Sequence, residues 1–337
     1  MKKFLALMLA TIVLMIGCGN EQSEKPAKQV TIAMLSIAND EGIARAWYDE
    51  QLGKELGAKV IKLDYDSGML ANEAMATGNI DIALVGSTAA ALGISKGLPY
   101  QVFWIHSIDG DNEALAVKNN SGINSLADLK GKRVGVPPAS TAQYSLHYAM
   151  KSVGLYDDSV MIIELQPSTI IDAWKENKID AAFVWQPYLD ELLEDGRVLL
   201  SSRELNADGI TTADVGVVNE EFARRHPDIL EKYIELQIKA HELYRAHPKQ
   251  AVELAAANLI TTPEYVWRQM NEIIWLDLEQ QLSENYIGTV EWKGQLVQML
   301  IDTAKFLERN GNIEKAASDE TFEAAVNPAA AEAVSKK

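Results

Sequence analysis

The chain is nearly free of cysteine, since Cys18 is the only one among its 337 residues. One cysteine cannot form a disulfide within the chain or build a cysteine-based metal cluster. A phosphate-binding glycine loop is also missing, because Gly86-Ser87-Thr88 has neither the upstream glycine nor the lysine of such a loop. Histidine is sparse and shows no metal-ligand spacing; the five are His106, His147, His226, His241 and His247. We therefore expect no enzyme, no metal and no cofactor.

Basic residues are in the minority. Lysine and arginine number 31 against 48 acidic residues, which gives a formal net charge of −17. Such an acidic chain is repelled by nucleic acid and by anionic lipid, so we expect no nucleic-acid partner. Apolar residues make up 47% and charged residues 23%, as in a globular protein, and the length suggests two domains.

Long apolar runs are absent apart from the leader. Residues 4–16 form a run that is too short to span a bilayer and has the length of a signal-peptide core. The run ends in Met15-Ile16-Gly17-Cys18, which resembles a bacterial lipobox with Met15 where leucine is usual. We expect a lipoprotein signal peptide over 1–17, lipidation of Cys18 and a tether over 18–28, so that the chain is extracytoplasmic and meets the membrane only through its lipid. A signal peptide that is cleaved without leaving an anchor is the alternative.

From Val30 onward, strand-like and helix-like segments alternate. Such alternation predicts an α/β protein with mostly parallel sheets and helices on both faces. Helices are expected over 41–56, 141–153 and 168–177. Strands are expected over 30–35, 59–63, 80–85, 100–105, 113–117, 132–136, 160–165, 180–184 and 197–200. Residues 215–218 are expected to be the return crossing to the first lobe.

The order of the segments indicates two lobes. Residues 125–132 read as a short capped helix, a glycine stop and a new strand, which marks a second α/β unit. The chain is almost entirely helical in pattern after about residue 219. We predict that 29–112 together with 218–315 form lobe 1, that 113–217 form lobe 2, and that 316–337 are a weakly structured tail.

One local sequence pattern occurs twice. Residues 84–89 and 134–142 each read as a strand, a tight turn and hydroxyl side chains that open a helix. A helix N-terminus presents unpaired N–H groups and a partial positive charge, which suits an anion such as a sulfonate, carboxylate or phosphate. Ser87 and Ser140 are also ordinary capping residues, but their occurrence at strand ends in both lobes favours a shared anion site.

Three further residues are candidates for the same pocket. Trp185 follows a strand and is either an apolar wall of the site or part of the core. Asp214 lies where the chain returns to the first lobe, and its carboxylate is either a partner for a ligand ammonium or an ordinary surface acid. Glu113, at the outward crossing, has the same two interpretations.

These residues resemble the taurine- and alkanesulfonate-binding proteins of ATP-driven importers. The resemblance covers Val30 to Asn219 and continues more weakly to about residue 280. Its most specific segment is Ser140-Thr141-Ala142-Gln143-Tyr144-Ser145-Leu146, which is similar to the taurine branch. The other matching segments are Tyr65-Asp66-Ser67-Gly68, Leu84-Val85-Gly86-Ser87, Glu113-Ala114-Leu115, Gly131-Lys132-Arg133-Val134-Gly135-Val136-Pro137 and Phe183-Val184-Trp185.

The resemblance implies a type 2 periplasmic-binding fold whose two lobes close on a ligand by a hinge motion. It implies a monomer that delivers taurine or an alkanesulfonate to an ABC transporter permease, with Asp214 as the ammonium partner. A zwitterion of this kind is balanced by neutral donors and one carboxylate, without an arginine. The resemblance assigns ligand contacts to Ser87, Thr88, Ser140, Thr141, Ala142 and Tyr144, beside Trp185 and Glu113.

The sequence departs from this family pattern at two places. Thr88-Ala89 replaces a Ser-Pro-like pair, and Gln186 replaces an acid, which removes a negative charge near the pocket. Other ligands of the same fold stay open, namely a thiamine precursor, nitrate or bicarbonate, or an aromatic sulfonate. An enzyme on this scaffold and a lipid-anchored sensor or adhesin are the alternatives from other classes.

Overall fold

The computed structural model describes residues 28–156 and 158–337, so Cys18, the predicted signal peptide and nearly all of the tether lie outside the described residues. Two five-stranded sheets organise this part of the chain. The ten strands are β1 (Lys28–Leu35), β2 (Ala58–Tyr65), β3 (Ile82–Gly86), β4 (Tyr100–Ile108), β5 (Glu113–Lys118), β6 (Arg133–Val136), β7 (Met161–Glu164), β8 (Ala181–Trp185), β9 (Gly196–Ser201) and β10 (Ala213–Asn219). The expected α/β architecture is confirmed.

Helices flank both sheets. They are α1 (Asp40–Ala44), α2 (Gly68–Ala76), α3 (Ser87–Ser95), α4 (Thr141–Ser152), α5 (Pro167–Lys175), α6 (Tyr188–Leu193), α7 (Ser202–Ala207), α8 (Glu220–Arg225), α9 (Pro227–Ala246), α10 (Pro248–Leu259), α11 (Pro263–Glu272), α12 (Leu278–Gln281), α13 (Gln295–Arg309), α14 (Asp319–Ala325) and α15 (Ala329–Ser335). Short 3₁₀ turns lie at Arg45–Trp47 and Leu126–Leu129, and a π-helical turn at Asp49–Glu55. Among the helices of the described ranges, none has the length and apolarity needed to cross a bilayer.

The first sheet has the strand order β2-β1-β3-β10-β4. β1 pairs in parallel with β2 and β3, whereas β10 is antiparallel to both of its neighbours. Alternate residues of β1 face opposite sides: Ile32 packs in one core cluster and Ala33 in the other. Strands that are buried on both faces need continuous apolar sequence, which is the pattern of β1 and β3.

The second sheet repeats this plan with the order β7-β6-β8-β5-β9. β6 pairs in parallel with β7 and β8, and β5 runs antiparallel to β8 and β9. Alternation again separates two cores, since Leu115 packs on one face and Ala116 on the other. We call each sheet with the helices packed on it a lobe.

Two short segments carry the chain between the lobes. The outward one joins β4, which ends at Ile108, to β5, which begins at Glu113. The return segment joins α7 to β10, whose Asp214 already pairs with Gly86 of β3. The predicted end of the second lobe at residue 217 is therefore a few residues too late. Val215 and Val217 belong to the first core because β10 is hydrogen-bonded on both sides within the first sheet.

The prediction of a weakly structured tail over 316–337 is wrong. α14 and α15 lie in this segment, and Phe322, Val326 and Ala331 are fully buried. Val326 forms a bridge with Val102 of β4, and Asn327 N–H donates to the Val102 carbonyl at 2.8 Å. The alanine-rich composition does not reveal these contacts, because a few large side chains at helical spacing suffice to pack a short helix against a core.

Candidate functional site

A cavity lies between the lobes, at the ends of strands from both sheets. The cavity has a volume of about 30 Å³. Five of the predicted site residues line this cavity: Glu113, Ser140, Thr141, Trp185 and Asp214. The other lining residues are Leu35, Ile37, Ser67, Gly68, Met69, Gly86, Ala89, Asp109, Asn112, Pro138 and Ala139. A cleft outside strand ends, shared by two lobes, is where open α/β folds bind small ligands.

The beginnings of three helices converge on this cavity. Ser67 caps α2 and Ser140 caps α4, each by accepting a hydrogen bond from a backbone N–H of the first turn, while Gly86 precedes α3. Residues from all three beginnings line the cavity. The first N–H groups of a helix lack intrahelical partners and carry partial positive charge, so this wall attracts an anion.

The hydroxyls on this wall are already hydrogen-bonded. Ser67 Oγ donates to Gln166 Oε1 at 3.1 Å, which joins the two lobes, and Ser140 Oγ donates to the Pro137 carbonyl at 2.6 Å. Thr141 Oγ1 donates to a carboxylate oxygen of Glu113. An anion at this wall therefore meets backbone N–H groups first, and it binds a hydroxyl only if that hydroxyl turns away from its present acceptor.

Three buried carboxyl groups also line the cavity. They belong to Asp109, Glu113 and Asp214, with exposures of 3%, 1% and 5%. Burial raises the pKa of Asp109 to about 6. Burial, followed by repulsion from Asp109, raises the pKa values of Glu113 and Asp214 well above their usual range. These shifts show that negative charge is costly here without a cation.

Glu113 is held by hydroxyl groups of the second lobe. Its oxygens accept from Ser202 Oγ at 2.8 Å, from Ser145 Oγ at 3.4 Å and from Thr141 Oγ1. Asp214, in the first lobe, accepts from Ser107 Oγ at 3.3 Å. Asp109 Oδ2 is buried and has no hydrogen-bond partner among the described residues. A cationic group in the cavity would offset the cost of that unpaired oxygen.

The rest of the cavity wall is apolar or neutral. Leu35, Ile37 and Met69 face it from the first lobe, and Trp185 faces it from the end of β8 with 8% of its surface exposed. Within residues 28–156 and 158–337, neither lysine nor arginine lines the cavity. The cavity lining therefore combines helix N-termini with buried carboxyls and has no basic side chain among the described residues.

Four predicted contact residues lie outside the cavity lining. Ser87 and Thr88 are fully buried in the first turn of α3; Ser87 Oγ accepts from Ala213 N–H at 3.3 Å, and Thr88 Oγ1 has no hydrogen-bond partner in the described part of the chain. Ala142 packs in the core of the second lobe because it points to the sheet side of α4. Tyr144 packs against Tyr148 and Phe306, with ring centroids 4.7 Å and 5.3 Å away.

Asp109 and Ser67 are among the lining residues that the sequence analysis did not name as site candidates. Asp109 lies in the outward connection, within the acidic run Asp109-Gly110-Asp111-Asn112-Glu113, and that run is the only available signal for it. Ser67 precedes α2 in the same way that Ser140 precedes α4, so the strand-turn-hydroxyl pattern also predicts it. Its sequence context, Tyr65-Asp66-Ser67-Gly68, is the family-like segment already noted.

One Gly-x-Ser-x-Gly spacing occurs, at residues 93–97, but it spans the end of α3 instead of the strand-to-helix turn that exposes a nucleophile. Ser95 Oγ there accepts from Ala317 N–H at 3.4 Å. Over the described ranges, no group of three or more His, Cys, Asp or Glu side chains is arranged to hold a metal.

The chain is similar to known binding proteins of transport systems. Residues 28–252 match the model of the substrate-binding domain of ABC-type glycine betaine transport systems. The chain is 36% identical over 299 residues to the taurine-binding periplasmic protein of Escherichia coli K12, covering 87% of this chain and 90% of that protein.

Solved structures extend the similarity of fold. The periplasmic aliphatic sulphonate binding protein SsuA from Escherichia coli superposes with a TM-score of 0.70 at 19% identity, over 89% of this chain and 97% of the other. The desulfurization enzyme DSZB superposes with a TM-score of 0.63 at 14% identity, over 92% and 99% of the two chains. The same fold therefore carries both binding proteins and an enzyme.

Proposed function

The chain belongs to the family of substrate-binding domains of ABC-type glycine betaine transport systems, and from this membership we propose that it captures taurine, or a similarly small aminosulfonate, for an ABC importer. The ligand enters the cavity between the lobes. Its sulfonate faces the helix beginnings at Ser67, Gly86 and Ser140, and its ammonium faces Asp109, Glu113 and Asp214.

The charge pattern of the cavity carries this proposal. A zwitterion pairs a permanent anion with the partial positive charge of three helix N-termini, and pairs a cation with buried carboxyls. An anion without an amine, such as nitrate or bicarbonate, leaves those carboxyls unpaired. An ammonium near Asp109, Glu113 and Asp214 also favours their ionised forms, which recovers part of the cost of burying them.

The pocket also favours a primary ammonium over a quaternary one. Quaternary ammonium ligands are recognised by several aromatic faces, whereas Trp185 is the one aromatic residue among the described lining residues. The same scarcity disfavours a thiamine precursor or an aromatic sulfonate. Glycine betaine is therefore expected to bind weakly, although the family takes its description from that ligand.

Two finer features belong to the same proposal. The lobes close by a hinge at the two connections, residues 109–112 and 208–212, because these are the segments that join the sheets. Cys18 carries a lipid that anchors a monomer on the outer face of a bacterial membrane, where the importer's permease collects the ligand. Replacing Cys18 with serine is expected to release the protein from the membrane fraction.

Calorimetry with purified protein tests the ligand. We expect taurine to bind with a Kd in the micromolar range or below, as the burial of both charged ends implies, whereas ethanesulfonate and glycine betaine bind at least tenfold more weakly. Absence of heat with taurine at millimolar concentration would contradict taurine as the ligand. Tighter binding of ethanesulfonate than of taurine would contradict a favourable contact between the carboxyls and the ligand ammonium.

A substitution assigns the ammonium partner. Asp214→Asn keeps the shape of the side chain but removes its charge, and losing one partner of a buried charge pair costs about 2–5 kcal/mol. Taurine affinity should therefore fall by roughly 30-fold or more, while ethanesulfonate affinity stays the same or improves. Asp172→Asn, at an exposed position in α5, is the control. Equal losses for both ligands would exclude Asp214 from the ammonium contact.

Binding with chemical turnover is the competing function. The relatives that match in sequence are binding proteins by name, whereas the enzyme match rests on fold alone. Recovery of unchanged taurine after prolonged incubation with the protein, measured by mass spectrometry, is expected. Conversion of the ligand would overturn the assignment as a binding protein.

A further inference from the structure

The side chain of Gln186 joins the two lobes just outside the cavity lining. It follows β8, is only 3% exposed, and its amide nitrogen donates two hydrogen bonds. One goes to Asp190 Oδ1 at 2.9 Å and the other to Glu272 Oε2 at 3.3 Å. Both hydrogens of the amide are therefore directed at carboxylates.

These two carboxylates belong to different lobes. Asp190 lies in α6, whose Leu189 and Leu192 pack in a core of the second lobe. Glu272 is the last residue of α11, whose Val266 and Met270 pack in a core of the first lobe. Any separation of the lobes that moves α11 away from α6 must break the bond between Gln186 and Glu272.

Other contacts at this edge involve the same two helices. Arg268 of α11 forms an ion pair with Asp190, and Tyr188 Oη donates to Asp66 Oδ1 at 3.4 Å. Arg203 donates to the Glu272 carbonyl at 2.8 Å and pairs with Asp111 at 2.6 Å. Because Arg268 and Asp190 are at least partly exposed, their ion pair is weak in water. The amide of Gln186 is buried, so its hydrogen bonds favour the present arrangement of the two lobes more strongly than this exposed ion pair does.

We propose that Gln186 is a positioning residue that sets the equilibrium between open and closed lobes, and thereby the apparent affinity for the ligand, without touching the ligand. The proposal rests on the proposed function, in which the ligand binds the closed form. If only a fraction of the protein is closed before binding, the apparent Kd rises as that fraction falls.

In this chain the side chain at position 186 acts as a neutral donor to two carboxylates. Burial raises the pKa of Glu272 to about 7, so negative charge there is already costly. A carboxylate in place of the amide would face both Asp190 and Glu272 without a hydrogen to donate, and Asp111 lies on the same side. Repulsion between the carboxylates would then destabilise the closed arrangement, because like charges placed side by side weaken an association.

The test compares three variants at pH 8, where Glu272 is ionised. Gln186→Glu is the disruptive change. Gln298→Glu is the matched control, because the Gln298 amide donates to Asp302 at 3.0 Å within a single helix of the first lobe. The double variant Gln186→Glu with Glu272→Gln returns a donor to the interlobe contact with the roles exchanged.

Two measurements read the outcome. Small-angle X-ray scattering of the unliganded protein should show a larger radius of gyration for Gln186→Glu than for the wild type, with the control unchanged. Calorimetry with taurine should show about tenfold or greater weakening for Gln186→Glu, no change for the control and partial recovery in the double variant.

The failures of the two proposals are distinguishable. If wild-type protein binds no taurine, the proposed function fails, and the scattering data alone decide the role of Gln186. If wild-type protein binds taurine but Gln186→Glu matches it in both affinity and radius of gyration, the positioning role is overturned. A loss of affinity in Gln186→Glu that the double variant does not recover, with an unchanged radius, also overturns it.

Discussion

The ionisation of single residues distinguishes this cavity from an ordinary polar cleft. Asp109, Glu113 and Asp214 come from the two connections between the lobes and from the strands beside them. Each has a raised pKa because it is buried, and repulsion from Asp109 raises the pKa values of Glu113 and Asp214 further. The ionisation of these three carboxyls therefore depends on pH and on the charge of a bound ligand.

The pH dependence of stability follows from the direction of these shifts. An acid whose pKa is higher in the folded than in the unfolded state binds more protons in the native state. Its contribution to stability is therefore present at low pH and is lost as the pH rises from the unfolded pKa to the folded pKa. For Asp109 that window runs from about 4, its unperturbed value, to about 6. The Tm of the unliganded protein should fall as the pH rises through this window.

Differential scanning fluorimetry across pH 4–8 checks this expectation. Asp109→Asn should flatten the profile in that window, because the variant has no titrating group at this position. Saturating taurine should also flatten it, since an ammonium stabilises the ionised carboxyls. A Tm that rises steadily over pH 4–6 in both the wild type and Asp109→Asn would contradict the raised pKa of Asp109.

At the scale of elements, the outward connection is packed tightly against the end of α11. A Cβ placed on Gly110 would lie 2.0 Å from the carbonyl oxygen of Glu272. That same oxygen accepts hydrogen bonds from Asp111 N–H at 2.8 Å and from Arg203. The connection can therefore approach α11 only because residue 110 has no side chain.

Gly110→Ala is expected to push this connection away from α11. Overpacking of this kind costs about 1–3 kcal/mol, so the free energy of unfolding should fall by that amount in urea titration, and taurine affinity should fall with it. Gly53→Ala is the control, since a Cβ at Gly53 meets no atom closer than 3.5 Å. Equal stability of the two variants would mean that the connection relaxes without cost.

The whole molecule is completed by its C-terminal segment. α14 and α15 return to the first lobe after α13, and Phe322 is fully buried in the same core as Leu300 and Phe306. Ala331 packs in the other core of that lobe. The segment thus contacts both faces of the first sheet and belongs to the folded unit.

Phe322→Ala measures how much this segment contributes. Truncating a buried phenylalanine costs about 3–5 kcal/mol, so the urea midpoint should fall markedly in one cooperative transition. Val290→Ala, at a position 56% exposed, should change stability by less than about 0.5 kcal/mol. A Phe322→Ala midpoint equal to that of the wild type would show that the segment contributes nothing to the first lobe.

Sequence alone predicts the alternation of strands and helices, the helix beginnings at Ser87 and Ser140, and one acid near each connection, Glu113 and Asp214. These features are local: they follow from residue periodicity, from capping hydroxyls and from charge close to strand ends. That is why all nine predicted strands are found, with Glu113, Trp185 and Asp214 at the cavity.

Which of several neighbouring side chains reaches the cavity depends on the tertiary structure. On α4, Thr141 lines the cavity while Ala142 and Tyr144 pack in cores, because successive helix positions point in different directions. The tertiary structure also determines that Phe322 is buried and that Gln186 bridges the carboxylates of two lobes. These contacts join residues far apart in the chain, and their energy depends on distances that no local pattern specifies.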